Sequence, residues 1–132
     1  MTTLKPYLPA VIWLVIILVL SGYSGNQLPK VALWQIDKLA HIIMYGTLSF
    51  FLIISFSKQF LEKGNRFKIG LRIVLFGVFY GGFMEILQNN IFINRSGNWA
   101  DFIANTIGAV LGVLIAPLVF EILPINRWLK IK

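Results

Sequence analysis

The sequence predicts an all-α membrane protein, a bundle of four transmembrane helices with both termini in the cytoplasm. Three observations predict it. Of the 132 residues, 58% are hydrophobic and 13% charged, and the mean hydropathy is +0.79. A soluble domain this small has too little interior for so much apolar surface. Four apolar runs, at about 8–23, 38–57, 69–90 and 101–123, approach the roughly 20 residues that cross a bilayer as helix. With the N-terminus inside, nine lysines and arginines fall on the inner side and three on the outer, which satisfies the positive-inside rule. The whole chain, 1–132, reads as a single domain.

The first run follows Pro6 and Pro9, residues suited to a helix start but not to its interior. It also has the outline of a signal peptide, with Lys5 as the basic region and small residues at Ser21–Gly25. No A-x-A pattern follows, and Tyr7 and Tyr23 bracket a span of membrane length, so a retained helix is the expectation. The second and third runs are joined by KQFLEKGNRFK at 58–68, a basic cytoplasmic loop with its turn at Gly64 and Asn65. Its plain role is to set topology. The third run carries Glu85 near its end, and the turn formers Asn94, Ser96, Gly97 and Asn98 separate it from the fourth. Pro117 is a candidate kink in that last helix.

Composition also excludes chemistry. The absence of cysteine removes thiol nucleophiles, thiolate metal sites and disulfides. The formal charge of +7 comes from basic residues flanking apolar runs, which suits anionic lipid head groups and orientation, and no nucleic acid is expected. No Gly-rich phosphate loop or activated-serine motif is present. No cofactor or metal is predicted. A hard divalent ion between Asp37, Glu85 and Asp101 is the alternative that the carboxylates leave open, and zinc is poorly supported.

The polar side chains concentrate at one end. Asp37, His41 and Tyr45 are spaced i, i+4, i+8 and stack on one helix face. Asp37 suits a helix cap as well as a site, His41 a satisfied structural histidine as well as a proton shuttle, and Tyr45 interface packing. Glu85 lies about 6–8 Å inside the end of its helix at ~1.5 Å per residue. An ionisable group there is a functional hypothesis by default, against a structural pairing with Arg95 or His41. Gln88, three residues on, can orient Glu85 or a ligand. Arg95 offers a planar fork for carboxylate or phosphate, or an internal pair with Glu85 or Asp101. Asp101 and Asn105 repeat the i, i+4 spacing at the start of the last helix, Asp101 again suiting a cap. Gly77 and Gly81 on one helix, and Ala104, Gly108, Gly112 and Ala116 on another, form small-residue stripes that let helices approach closely. If the stripes face each other, Glu85 and Gln88 meet Asp101 and Asn105.

These motifs, D-K-x-x-H-x-x-x-Y at Asp37–Tyr45, E-I-L-Q at Glu85–Gln88 and R-S-G-N-W-x-D-F-x-A-N-x-x-G at Arg95–Gly108, together resemble the VanZ-like family. These are small bacterial membrane proteins named after an accessory protein of teicoplanin resistance. The resemblance covers about Asp37–Gly112 and implies polar positions at Asp37, Lys38, His41, Tyr45, Glu85, Gln88, Arg95, Asp101 and Asn105. A glycine often precedes the family's arginine; here Asn94 stands there. The resemblance implies a bacterial cytoplasmic-membrane location but no settled mechanism.

The expectation is an extracytoplasmic polar pocket that binds or modulates a cell-envelope component, with membrane lipids or a lipid-linked precursor as partners and an effect on teicoplanin susceptibility. In this reading Asp37, Lys38, Tyr45, Gln88, Arg95 and Asn105 bind, with Lys38 and Arg95 attracting an anionic head group. The alternative is a hydrolase or transferase acting on a lipid-linked phosphate or ester. There His41 and Glu85 are the acid/base pair, Arg95 stabilises developing negative charge, Asp37 orients His41, and Asp101 is the further catalytic candidate. A small lipid transporter is the third reading.

Overall fold

The computed structural model describes residues 4–22, 33–62, 64–92 and 97–122. They form a 3-10 turn, Lys5–Tyr7, then α1 (Leu8–Gly22), α2 (Leu33–Ser55), a short α3 (Ser57–Leu61), α4 (Arg66–Asn90) and α5 (Trp99–Ile122). No strand occurs among the described residues. Four of these helices are long and apolar enough to cross a membrane. The described residues form an all-α bundle with four candidate spans.

The bounds differ from expectation where local chemistry was misread. α2 starts at Leu33 rather than near residue 38, so Asp37 lies inside the helix rather than capping it. The expected loop at 58–68 contains the single-turn helix α3 and the first residues of α4, with a tight turn at Gly64, whose φ of 90° favours glycine. α5 runs through Pro117 to Ile122.

The spans alternate in direction. Tyr7 packs edge-on against Phe56, and Gln88 Nε2 donates to the Ser21 carbonyl at 3.2 Å, so α1 runs against α2 and beside α4. Two further bonds tie α1 into the bundle: Trp13 Nε1 to the Met44 carbonyl and Tyr80 Oη to the Leu14 carbonyl, both 2.8 Å. Exposed faces are apolar, with Phe79, Phe83, Leu114 and Leu118 turned outward, as a lipid solvent requires.

The most extensive contact is α2 against α5. Gly46, Gly108 and Gly112 make it, with the Gly108 backbone against Ile42 and Gly112 against Gly46 and Ser49. This corrects the expected pairing of the two stripes. The Gly108 and Gly112 edge faces α2, while Gly77 and Gly81 of α4 meet the adjacent edge of α5 at Ala109 and Asn105. At 3.6 residues per turn, positions 105 and 109 flank 108 and 112, so α5 offers small residues to two neighbours at once. Hydrocarbon fills the two halves of the core. Tyr45, Leu48, Ile17 and Met84 lie nearer the polar end, and Ile53, Phe60, Ile73 and Phe120 nearer the other.

Candidate functional site

The helix directions bring the start of α2, the end of α4 and the start of α5 to one end of the bundle. Their polar side chains meet there in a continuous chain. The Lys38 ammonium is paired with Asp101 Oδ1 and lies 3.3 Å from Asp37 Oδ2. Asp37 Oδ1 stands 3.9 Å from His41 Nε2, one turn along α2. His41 Nδ1 and Asn105 Oδ1 are 2.8 Å apart, with His41 6% and Asn105 1% exposed. Asn105 Nδ2 donates at 3.5 Å to Glu85 Oε1, and Glu85 Oε2 accepts the Asn98 backbone N–H at 2.8 Å.

Each link has a physical reason. Polar groups in a medium without water are costly unless paired, so three helices share their donors and acceptors here. Asn105 is the connector because its carboxamide both accepts and donates, joining the histidine to the carboxylate. Gly81 makes room for it: a Cβ at Gly81 would stand 3.2 Å from the Asn105 Cβ. Asn98, which the sequence marked only as a turn former, is a functional position as well. Its side-chain Oδ1 accepts the Ala100 N–H at 2.9 Å and caps α5, while its own N–H holds Glu85. The signal was legible: Asn98-Trp-Ala-Asp101 is a capping pattern, which leaves Asp101 in the first turn rather than at the cap.

Of the sequence-derived site residues, Asp37, Lys38, His41, Glu85, Asp101 and Asn105 come together. Tyr45 lies a turn deeper, 1% exposed, and its hydroxyl has no hydrogen-bond partner among the described residues. Gln88 turns away from Glu85 to the Ser21 carbonyl, because its place on α4 faces α1. Arg95, with Asn94 and Ser96, lies outside the described residues. His41 and Glu85 share Asn105 between them.

Asp37, His41 and Asp101 each bring a possible ligand atom within 4.8 Å of the others. Glu85 is not in that group, contrary to the carboxylate trio read from sequence. The Lys38 ammonium is paired with both aspartates and neutralises the same carboxylates that a divalent ion would need.

Beside this chain an open groove of about 510 Å³ runs between the end of α4 and the start of α5. Glu85 belongs to both: it closes the polar chain and lines the groove with Ile86, Asn89, Asn98, Trp99 and Phe102.

The sequence profile of the VanZ/LLP1 family matches residues 7–120, from the start of α1 to near the end of α5. The chain belongs to the VanZ/LLP1 family. No curated protein and no solved structure matches it. The match includes α1, which the motif resemblance had left out, and it spans every described residue of the polar chain. Four candidate spans together with the family match make this VanZ/LLP1 protein a multi-pass membrane protein.

Proposed function

We propose that this protein binds an amphiphilic component of the bacterial cell envelope at the extracytoplasmic end of its bundle, and that it modulates the availability of that component without transforming it. The observation that carries this reading is Glu85. One of its faces is fixed by Asn105 and the Asn98 N–H, and the same side chain lines the groove between α4 and α5. A half-buried, bonded carboxylate at the mouth of a groove is a pre-oriented recognition group.

Orientation is part of the proposal. Lys58, Arg66, Lys68 and Arg72 are exposed at the opposite end from the polar chain, which supports placing that end and both termini in the cytoplasm. The groove then opens at the level of the outer head groups, and Trp99, 81% exposed, lies where interfacial tryptophans anchor. An influence on teicoplanin susceptibility fits this location, since a protein bound to an outer-leaflet component alters access near the membrane surface.

Acid/base chemistry on a lipid-linked phosphate or ester is the second reading. It is favoured by the single step through Asn105 that links His41 to Glu85. One comparison separates the two. Cells expressing wild type or Glu85→Gln at matched membrane levels are profiled for envelope lipids and wall precursors by mass spectrometry, and their teicoplanin susceptibility is measured. Binding predicts identical profiles and a change in susceptibility. A species that appears or vanishes only with wild type replaces binding by catalysis.

A further inference from the structure

The described lining of the groove departs from an anion site. Its charged member is Glu85, and around it stand the amides of Asn89, Asn90 and Asn98 and the indole of Trp99. Of the cations assigned from sequence to an anionic head group, Lys38 is held by Asp101 and Asp37 and is not part of this lining. A phosphate brought to this lining meets a carboxylate of like charge.

The same groups suit hydroxyls. A hydroxyl donates one bond and accepts others, and the lining offers both complements. A carboxylate has about four lone-pair sites, and the bonds from Asn98 N–H and Asn105 Nδ2 leave others of this groove-lining residue to accept. Asn98 uses its Oδ1 on the Ala100 N–H, which leaves the NH2 group to donate. Asn90 uses its Nδ2 on the Ile86 carbonyl, which leaves the oxygen to accept. Trp99 stands edge-on to Phe102 at 6.0 Å and 88°, so the two rings make an aromatic corner for the C–H faces of a ring or polyol. Below this corner the wall is hydrocarbon. Ile86 and Phe102 lead to the exposed Phe83 and Ile103 on the lipid-facing side, where an acyl or prenyl chain lies naturally.

We infer that the groove between α4 and α5 takes the neutral, hydroxyl-rich head group of a lipid, a glycosyl or glyceryl head held by Glu85 and the asparagines and stacked on Trp99. The inference rests on the binding reading above and names its ligand class.

The test uses the full chain in detergent micelles with an equimolar mixture of monogalactosyl diacylglycerol, phosphatidylglycerol and phosphatidylethanolamine carrying the same acyl chains. Lipids retained by the protein are counted by native mass spectrometry. Wild type is expected to retain the galactolipid over either phospholipid. Trp99→Ala and Asn89→Ala, both at exposed positions whose replacement leaves the core untouched, are each expected to weaken that retention by about tenfold. Retention of phosphatidylglycerol or phosphatidylethanolamine in preference, lost in Trp99→Ala, overturns the neutral-head inference and leaves the binding reading standing. Retention of all three lipids without preference and unchanged in both variants overturns the groove as a lipid site, and the binding reading with it.

Discussion

Replacing Gly108 by alanine tests whether the closeness of α2 and α5 is what assembles the polar chain. A Cβ at Gly108 would press on the Ile42 carbonyl and stand 2.9 Å from the Ile42 Cα and 3.0 Å from its carbonyl carbon. These are backbone atoms and cannot swing aside. Carbon atoms prefer about 3.5–4.0 Å, so the helices must part by roughly 0.5–1 Å, which forfeits about a quarter to a half of each contact's ~0.1–0.2 kcal/mol. Over several tens of atom pairs along the seam, the loss is about 2–3 kcal/mol. Alanine's better helix propensity returns about 1 kcal/mol. The net expectation is a destabilisation of about 1–2 kcal/mol. The control is Gly82→Ala, where the new methyl meets only the Phe102 ring at 3.4 Å, an ordinary contact. That variant should be neutral or gain up to about 1 kcal/mol. Equilibrium unfolding in mixed micelles, followed by helical circular dichroism, reads both. Gly108→Ala as stable as wild type would refute the claim that backbone contact at this seam holds α5 in register with α2.

Four further outcomes are expected. Asn105→Leu strips His41 and Glu85 of their shared partner in a buried place, and unfolding should show a loss of about 2–4 kcal/mol. Lys38→Met leaves the poorly exposed Asp101 carboxylate without its cation and should cost about 3–5 kcal/mol, Asp101→Leu should cost less because Lys38 keeps Asp37, and the double variant should recover most of the Lys38→Met loss; additive losses would mean the pair is not coupled. Tyr45→Phe removes a buried hydroxyl that has no partner among the described residues, so stability should hold or rise by about 1 kcal/mol, and a clear loss would reveal a bond to that hydroxyl. Because the chain has no cysteine, Gln59→Cys and Asn89→Cys provide single labels at exposed positions. A membrane-impermeant maleimide on intact cells should mark only Asn89→Cys, and the reverse pattern would invert the orientation.

Much of this protein was legible in one dimension. Apolar runs of membrane length give the spans, because a backbone in lipid has no hydrogen-bond partner except itself. The i, i+4 spacing of Asp37 with His41 and of Asp101 with Asn105 put those residues on common helix faces before any packing was known. Helix starts were less legible. Asp37 and Asp101 both suit a cap by type, and only the chain's path put Asp37 inside α2 and gave the cap of α5 to Asn98.

What tertiary structure alone decided is which face meets which. Sequence spacing sorts residues onto a helix side but is blind to the rotation of one helix about its own axis against the next. That rotation turned Gly108 and Gly112 toward α2 instead of α4, sent Gln88 to α1, and placed the Asn105 carboxamide between His41 and Glu85. It is set by where small side chains let backbones touch, an energy summed over many weak contacts between segments far apart in the chain. The composition of the chain therefore determined a four-span membrane bundle with its polar groups near one end, and the packing of glycines determined which of those groups bond to one another.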